Sequence, residues 1–225
     1  MSEKGTRDQN EDSYLVISKD HFSLFVVADG LGGHAFGELA SKIAIGELRE
    51  SFQRKGQQGF LEGLMKANET IVRENERRNS NMGTTIVATL YDEENRECTI
   101  AHTGDSRAYI FNGGIWRTKD HSLVQSLVDK GEITNDEAFQ HPQKNIITKS
   151  LGIKDEIEIN FVKKIVKNTV LLLCSDGLSD YLKDEEISAI VLRNSPKEAC
   201  KELVQKALAN GGKDNITVIV INLRD

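Results

Sequence analysis

Several aspartates in the chain lie directly beside apolar segments. Asp29 and Asp176 each end an apolar run and are each followed by glycine, Asp105 closes a third run, and Asp214 precedes the run that begins at Ile216. One such aspartate alone is typical of a turn. Carboxylates that met at one place would repel each other unless cations lay among them. Carboxylate oxygens without nearby His or Cys ligands favour hard ions, so the pattern predicts Mg²⁺ or Mn²⁺ rather than zinc.

Two such ions, about 3.5–4 Å apart, can activate a bridging water and hold the oxygens of an in-line displacement at phosphorus. Gly30, which lacks a Cβ, allows its own carbonyl to approach an ion closely. Near the N-terminus, Arg7 precedes Glu11 and Asp12. A guanidinium can bind two phosphate oxygens, and the two acids can hold metal-bound waters. A solvated polar segment is the alternative interpretation here, but with the other aspartates the pattern predicts a binuclear phosphate hydrolase.

Composition excludes several classes of protein. The chain has 225 residues, 38% of them hydrophobic, and a net charge of −6. A pI near 5.5 argues against nucleic acid as the main partner. No apolar run approaches the roughly 20 residues that span a bilayer, and the polar N-terminal segment does not resemble a signal peptide. We therefore expect a cytoplasmic protein that forms a single domain over residues 1–225.

The cysteines provide a test of another phosphatase chemistry. Cys98, Cys174 and Cys200 lie far apart without a CxxC pair, which is typical of buried thiols in a reducing compartment. A cysteine nucleophile for phosphate esters requires Arg six residues later. Those positions hold Gly104, Asp180 and Lys206, so this route is excluded.

Hydrophobic periodicity predicts an α+β fold. Strands are predicted near residues 22–28, 84–91, 98–103, 107–111, 170–174 and 216–223, with a hairpin at Asn112-Gly113-Gly114. Helices are predicted over about 37–53 and 58–78, and from Pro196 to a stop near Asn210. Each helix has one apolar face and must pack on a sheet. Helices placed between clusters of strands favour a mixed sandwich over a doubly wound parallel sheet.

Six short motifs follow one another in a fixed order: Arg7-x-x-Asn10-Glu11-Asp12, Asp29-Gly30-Leu31-Gly32-Gly33-His34, Met82-Gly83-Thr84-Thr85, Gly104-Asp105-Ser106-Arg107, Ser175-Asp176-Gly177 and Lys213-Asp214-Asn215. From about residue 5 to its end, the chain resembles the metal-dependent type 2C serine/threonine protein phosphatases in their minimal bacterial form. The resemblance implies a central antiparallel β-sandwich flanked by antiparallel helix pairs, in four α-β-β-α layers.

The resemblance also implies a set of metal ligands. Asp29 would bridge two core ions, and the Gly30 carbonyl would ligate one of them. Asp176 and Asp214 would complete the shell of the other ion. Asp105, together with Asp176, matches a third metal site that bacterial members have.

Other matched residues would act on the phosphate and on the leaving group. Arg7 would bind the phosphate, and Glu11 and Asp12 would reach the metals through coordinated water. His34 matches the histidine proposed as general acid for the leaving alkoxide. A cap on the helix that follows is the alternative role for His34. We expect only structural or surface roles for the other four histidines, at positions 21, 102, 121 and 141.

The implied reaction is hydrolysis of phosphoserine or phosphothreonine in proteins by direct attack of a metal-bridging hydroxide, without a phosphoenzyme. We expect phosphoprotein substrates, those modified by a cognate serine/threonine kinase. We also expect the enzyme to be a monomer. Two alternatives remain open: the same hydrolysis on phosphotyrosine or small phosphoesters, and an inactive module that binds a partner.

Two segments outside the six motifs, residues 118–150 and the stretch before Arg7, carry further expectations. Residues 118–150 match a variable flap beside the active site, and we assign substrate choice to this flap, with a merely solvated cover as the alternative. Within it, residues 122–130 are predicted to form a short helix and 131–144 a polar loop. Family members carry a longer stretch before the Arg7 motif, which forms an edge strand, so here that strand is expected to be short or to be supplied late in the chain.

Overall fold

A computed structural model describes residues 1–33, 35–154 and 156–224. The strands are β1 (Ser2–Glu3), β2 (Ser13–Lys19), β3 (Phe22–Ala28), β4 (Gly30–Leu31), β5 (Gly83–Thr84), β6 (Ile86–Asp92), β7 (Glu97–Thr103), β8 (Arg107–Phe111), β9 (Ile115–Arg117), β10 (Asn160–Ile165), β11 (Thr169–Cys174) and β12 (Ile216–Leu223). The helices are α1 (Ala35–Lys55), α2 (Gln58–Arg78), α3 (Leu123–Asp129), α4 (Asn135–Phe139), α5 (Asp176–Ser179), α6 (Asp184–Arg193) and α7 (Pro196–Ala209).

Two five-stranded sheets, in the orders β10-β7-β6-β3-β2 and β1-β12-β11-β8-β9, form the centre of the molecule. Side chains alternate between the two faces of each strand. In β3, Val26 faces α1 and α2, while Val27 faces the other sheet. In β11, Leu172 faces α6 and α7, while Leu173 faces the first sheet. The four layers are therefore α-β-β-α, and the fold class predicted from the sequence is confirmed.

The predicted strands and long helices occur close to their expected positions, and β8 and β9 form the predicted hairpin through Gly113 at φ 69°. The prediction of a loop over residues 131–144 was wrong, because α4 lies within it. A capping box at Thr134 and Glu137 starts this helix. The sequence analysis also missed β2, β10 and α6. Both strands lie at sheet edges, where exposed positions weaken the apolar signal.

The expected short edge strand is β1. Its two residues pair with β12, Ser2 opposite Thr217 and Glu3 opposite Ile216. This pairing brings the N-terminal segment to the edge of the second sheet, next to Asp214. None of the helices within the described ranges has the length and apolar character needed to cross a bilayer.

The strand order places the predicted site aspartates at one end of the sandwich. Strands β3 and β7 are each antiparallel to β6, so both end on the same side, where Asp29 and Asp105 follow. In the second sheet the last residue of β11, Cys174, pairs with Val218 near the start of β12. Asp176 therefore follows β11 on the same side on which Asp214 precedes β12.

Candidate active site

Four aspartates from distant parts of the chain lie close enough to Asp29 to affect its pKa. The pKa of Asp29 is raised well above its ordinary value, first by burial and then by the negative charges of Asp12, Asp176, Asp105 and Asp214. The structure thus brings together all of the aspartates that the sequence analysis placed at a metal site.

Burial of these carboxylates is costly in free energy. It is the first cause that raises the pKa of Asp12 to about 6 and of Asp105 to about 7, and it also raises that of Asp176. One buried carboxylate oxygen, Oδ1, of each of these three residues has no hydrogen-bond partner in the part of the chain that the structure describes. With Asp29, these residues are called the acidic cluster below. Buried, unpartnered oxygen donors without His or Cys among them fit a hard divalent cation.

Neighbouring acids differ in having cationic partners. Asp120 accepts two hydrogen bonds from Arg107, at 2.8 and 2.6 Å, and Asp180 lies 2.8 Å from the ammonium of Lys144. Within residues 1–33, 35–154 and 156–224, no Lys or Arg forms an ion pair with a member of the acidic cluster. Uncompensated negative charge is therefore concentrated there. In the same ranges no three Asp, Glu, His or Cys side chains already form a set of metal ligands, so cations would have to draw the oxygens of the cluster together.

Hydroxyl groups hold the cluster in place, and the sequence analysis missed them. The backbone N–H of Asp29 donates to Thr85 Oγ1 at 3.1 Å, and that hydroxyl is 2.7 Å from the hydroxyl of Ser106. Ser175 Oγ donates to Asp12 Oδ2 at 2.8 Å. Thr85, Ser106 and Ser175 all lie within the motifs listed above, next to or near the acids, which is the signal that could have identified them.

Two glycines allow the backbone to pack closely around the site. A Cβ on Gly30 would overlap the carbonyl oxygen of Gly37, and a Cβ on Gly37 would overlap Oε2 of Glu11. The Glu11 carboxylate therefore lies against the first turn of α1, beside the Gly30 carbonyl. Ligation of an ion by the Gly30 carbonyl stays a prediction.

Arg7 lies at the exposed rim of the site. Its side chain is 57% exposed, and Nη2 donates to Asp214 Oδ2 at 2.7 Å. The hydrogen bond and the charge of Asp214 raise the pKa of Arg7. Asp214 Oδ1 accepts a hydrogen bond from the backbone N–H of Asn215 at 2.8 Å. The predicted phosphate-binding cation and a predicted metal ligand are thus direct neighbours.

The arrangement combines a pocket for hard cations with an adjoining guanidinium, which is the chemistry that a phosphate ester requires. A family model described as protein phosphatase 2C matches residues 2–211. The chain belongs to the protein phosphatase 2C family. The enzyme class and the family resemblance predicted from the sequence are confirmed.

Known proteins similar to the phosphatase agree with this assignment. A serine/threonine phosphatase, stp, of Listeria monocytogenes is 34% identical over 230 residues, which cover 96% of this chain and 90% of the relative. The crystal structure of serine/threonine phosphatase Stp1 from Staphylococcus aureus matches with a TM-score of 0.92 at 36% identity, covering 100% of this chain and 94% of that one. The catalytic domain of the serine/threonine protein phosphatase PstP, solved with 2 manganese ions, matches with a TM-score of 0.87 at 34% identity. The match covers 100% of this chain and 96% of that one.

Three histidines, His34, His102 and His121, bear on the roles predicted from the sequence. His34 lies outside the described residues, so its predicted role as general acid and the alternative role as a helix cap both stay predictions. His102 is buried and stacks on His121 at 4.9 Å between ring centroids, and burial lowers the pKa of His102 to about 4. Nδ1 of His121 accepts the backbone N–H of Gly104 at 3.2 Å. These contacts fit the structural role predicted for both residues.

The flap predicted from residues 118–150 borders the acidic cluster. A cleft of about 510 Å³ opens from Asp105 and Asp176 and continues between α3, α4 and the start of α6. Its wall combines apolar side chains such as Val124 and Phe139 with charged ones such as Lys183. The flap helices thus form one side of a groove that leads to the site.

Proposed function

We propose that the phosphatase removes phosphate from phosphoserine and phosphothreonine residues of proteins in a reaction that depends on Mn²⁺ or Mg²⁺. The observation that carries this proposal is the acidic cluster, in which three buried carboxylate oxygens have neither a hydrogen-bond donor nor a Lys or Arg partner among the described residues. The serine/threonine phosphatases among the relatives and the two manganese ions in PstP support it.

The residues that would hold two core ions and a third ion are those implied by the motifs. Asp29 and the Gly30 carbonyl, with Asp176 and Asp214, would hold the core ions, and Asp105 with Asp176 would hold the third. Glu11 and Asp12 would act through bound water. Such ions lower the pKa of a bound water toward neutrality and offset the charge of a phosphate.

The chain itself supplies orientation and proton transfer. Arg7 would bind two phosphate oxygens through its planar guanidinium and align the ester for in-line displacement. His34 would donate a proton to the serine or threonine oxygen as it leaves, because an alkoxide is a poor leaving group.

Substrate choice is assigned to the flap, residues 118–150, and to the cleft beside it. The cleft joins Asp105 and Asp176 to the flap helices, which suits a peptide segment next to a phosphorylated residue. Phosphoproteins modified by a cognate serine/threonine kinase are the proposed substrates. A monomer that acts as one catalytic domain over residues 1–225 is proposed too, and the cytoplasmic location stays a prediction.

The metal assignment is tested with Asp176→Asn. Purified phosphatase should hydrolyse a chromogenic aryl phosphate with Mn²⁺ and lose this activity when a chelator is added. We expect the substitution to lower kcat by about 100-fold or more, since a metal contributes several kcal/mol of charge stabilisation. Asp92→Asn is the matched control, because Asp92 ends β6 on the side away from the acidic cluster and its carboxylate accepts hydrogen bonds from Asn95. A wild-type rate for Asp176→Asn would refute the assignment.

Substrate class is tested with one peptide carrying phosphoserine, phosphothreonine or phosphotyrosine at the same position. We expect higher kcat/KM values for the two aliphatic esters. Equal or higher values for phosphotyrosine would favour the alternative reaction, and no metal-dependent turnover of any substrate would favour the inactive module.

A further inference from the structure

The carboxamide of Asn215 connects β12 to the loop that carries Arg7. Asn215 is only 4% exposed. Its Nδ2 donates to the carbonyl oxygens of Lys4, at 3.0 Å, and Gln9, at 2.9 Å. Its Oδ1 accepts the backbone N–H of Glu11 at 2.8 Å. One side chain thus contacts the loop backbone on both sides of Arg7.

These contacts use both donor hydrogens of the carboxamide and its acceptor. The orientation of the amide group is determined by them, because the two carbonyls require N–H groups and the Glu11 N–H requires an oxygen. A buried side chain with fully used hydrogen-bonding capacity has a well-defined position. Asn215 can therefore hold the loop at one distance from β12.

The C-terminal end of the loop is also held by Ser41 Oγ, which donates to the Glu11 carbonyl at 2.6 Å, and by Ser175 Oγ, which donates to Asp12 Oδ2 at 2.8 Å. The part around Arg7 has less support. Residues 4 and 6–9 are exposed, and residues 4–12 contain no helix or strand. Gly5, at φ 61°, packs against the carbonyl of Asp214 so closely that a Cβ would overlap it. The hydroxyl of Thr6 donates to the Lys213 carbonyl at 3.2 Å. The loop is therefore fastened to residues 213–215, and the buried part of that attachment is Asn215.

We infer that Asn215 is a positioning residue that acts through Arg7. It holds the Arg7 loop at the distance from β12 at which the guanidinium can contact a phosphate bound beside Asp214. Its backbone N–H meanwhile orients the Asp214 carboxylate, so one residue sets the relative position of both groups. This inference rests on the proposed role of Arg7 in binding phosphate.

The test measures the affinity of the Mn²⁺-loaded protein for inorganic phosphate by titration calorimetry, for the wild type, Asn215→Ala, Arg7→Ala and the double variant. We expect Asn215→Ala to weaken phosphate binding by roughly tenfold, since the guanidinium must then be ordered by the ligand itself. The double variant should bind phosphate no more weakly than Arg7→Ala, because the two side chains act as a unit. Affinity for Mn²⁺, measured separately, should stay within about threefold of wild type.

Asn68→Ala is the matched control. Asn68 is also buried, at 2% exposed, and bonds the backbone of residues 152 and 154 through the same two groups of its amide. We expect this variant to lose stability without losing phosphate affinity. Gly5→Ala is a second variant, on the exposed loop, that should displace Arg7 without removing a buried side chain, and it should weaken phosphate binding in the same way.

Different results overturn different statements. If Arg7→Ala binds phosphate as tightly as the wild type, the proposed role of Arg7 is wrong, and the inference about Asn215 with it. If Arg7→Ala weakens binding but Asn215→Ala and Gly5→Ala do not, only the inference is wrong. Additive losses in the double variant, or a loss of Mn²⁺ affinity as large as that of phosphate affinity, would show that Asn215 acts independently of Arg7 and would also overturn it.

Discussion

Replacing Asp105 by asparagine is expected to stabilise the metal-free phosphatase at pH 8. The side chain is only 6% exposed, and burial followed by the charge of Asp120 raises its pKa to about 7 from an ordinary value of 3.8. Asparagine has nearly the same shape but carries no charge to be desolvated. The substitution therefore removes the free-energy cost of an ionised carboxylate at this place.

The size of the expected stabilisation follows from the difference between the pKa of Asp105 in the folded state and in the unfolded state. A group whose folded pKa is raised contributes stability that is present below the unfolded pKa and is lost as the pH rises through the folded pKa. Each pH unit between the two values corresponds to about 1.4 kcal/mol. The raised pKa of Asp105 therefore lowers the unfolding free energy of the wild type by about 4 kcal/mol above pH 7, and by about 1.5 kcal/mol at pH 5. Asp105→Asn also lowers the pKa of Asp176, because Asp105 is one cause of its elevation.

Urea denaturation of both proteins, with a chelator present, at pH 5 and at pH 8, measures this difference. The asparagine variant should have the higher unfolding free energy at both values, with the larger advantage at pH 8. Saturating Mn²⁺ should stabilise the wild type more than the variant, because a ligand that binds only the folded state adds to its stability and the variant lacks one of the proposed ligands. His102 titrates in the opposite direction between about pH 4 and 6.5 in both proteins and cancels in the comparison.

A metal-free variant that is no more stable than the wild type at pH 8 would refute the argument. It would mean that Asp105 is solvated or paired in solution and does not belong to an uncompensated cluster. An advantage that is equal at pH 5 and pH 8 would attribute the effect to packing rather than to charge.

Further changes test other parts of the structure. For His34→Ala we expect a larger loss of kcat on a phosphoserine peptide than on an aryl phosphate, whose leaving group needs no proton, and equal losses would remove the general-acid role. Gly37→Ala should lower activity because a Cβ would displace the Glu11 carboxylate, whereas Gly46→Ala in the same helix, with open space around its Cβ, should leave activity unchanged and add up to about 1 kcal/mol of stability. Equal activities of these two variants would contradict this placement of Glu11. Phe52→Ala, in the fully buried core between α1 and the first sheet, should lower the unfolding free energy by about 3–5 kcal/mol, and a change below 1 kcal/mol would contradict its packing.

Much of the fold could be predicted because local physics determines it. The strand from Phe22 to Ala28 and the helix from residue 58 to 78 have apolar patterns that only one element type can bury. The edge strand β10 could not be predicted in this way, since Phe161 and Ile165 are exposed and its pattern lacks a buried face. Helix α4 was missed although Thr134 and Glu137 carried its start signal, because its five residues bury no side chain.

The sequence by itself determined which groups can do the chemistry. Aspartates next to apolar runs, glycines after two of them and an arginine near the N-terminus are properties of the chain, and their chemistry predicts hard cations and phosphate without coordinates.

Only the tertiary structure decided which acids lack a counter-ion. Asp120 and Asp180 lie near the cluster, but Arg107 and Lys144 neutralise them, from positions 13 and 36 residues away along the chain. The link from Asn215 to the Arg7 loop likewise joins the two ends of the sequence. Such contacts depend on strand order and on distance in space, and the spacing of residues along the chain contains neither.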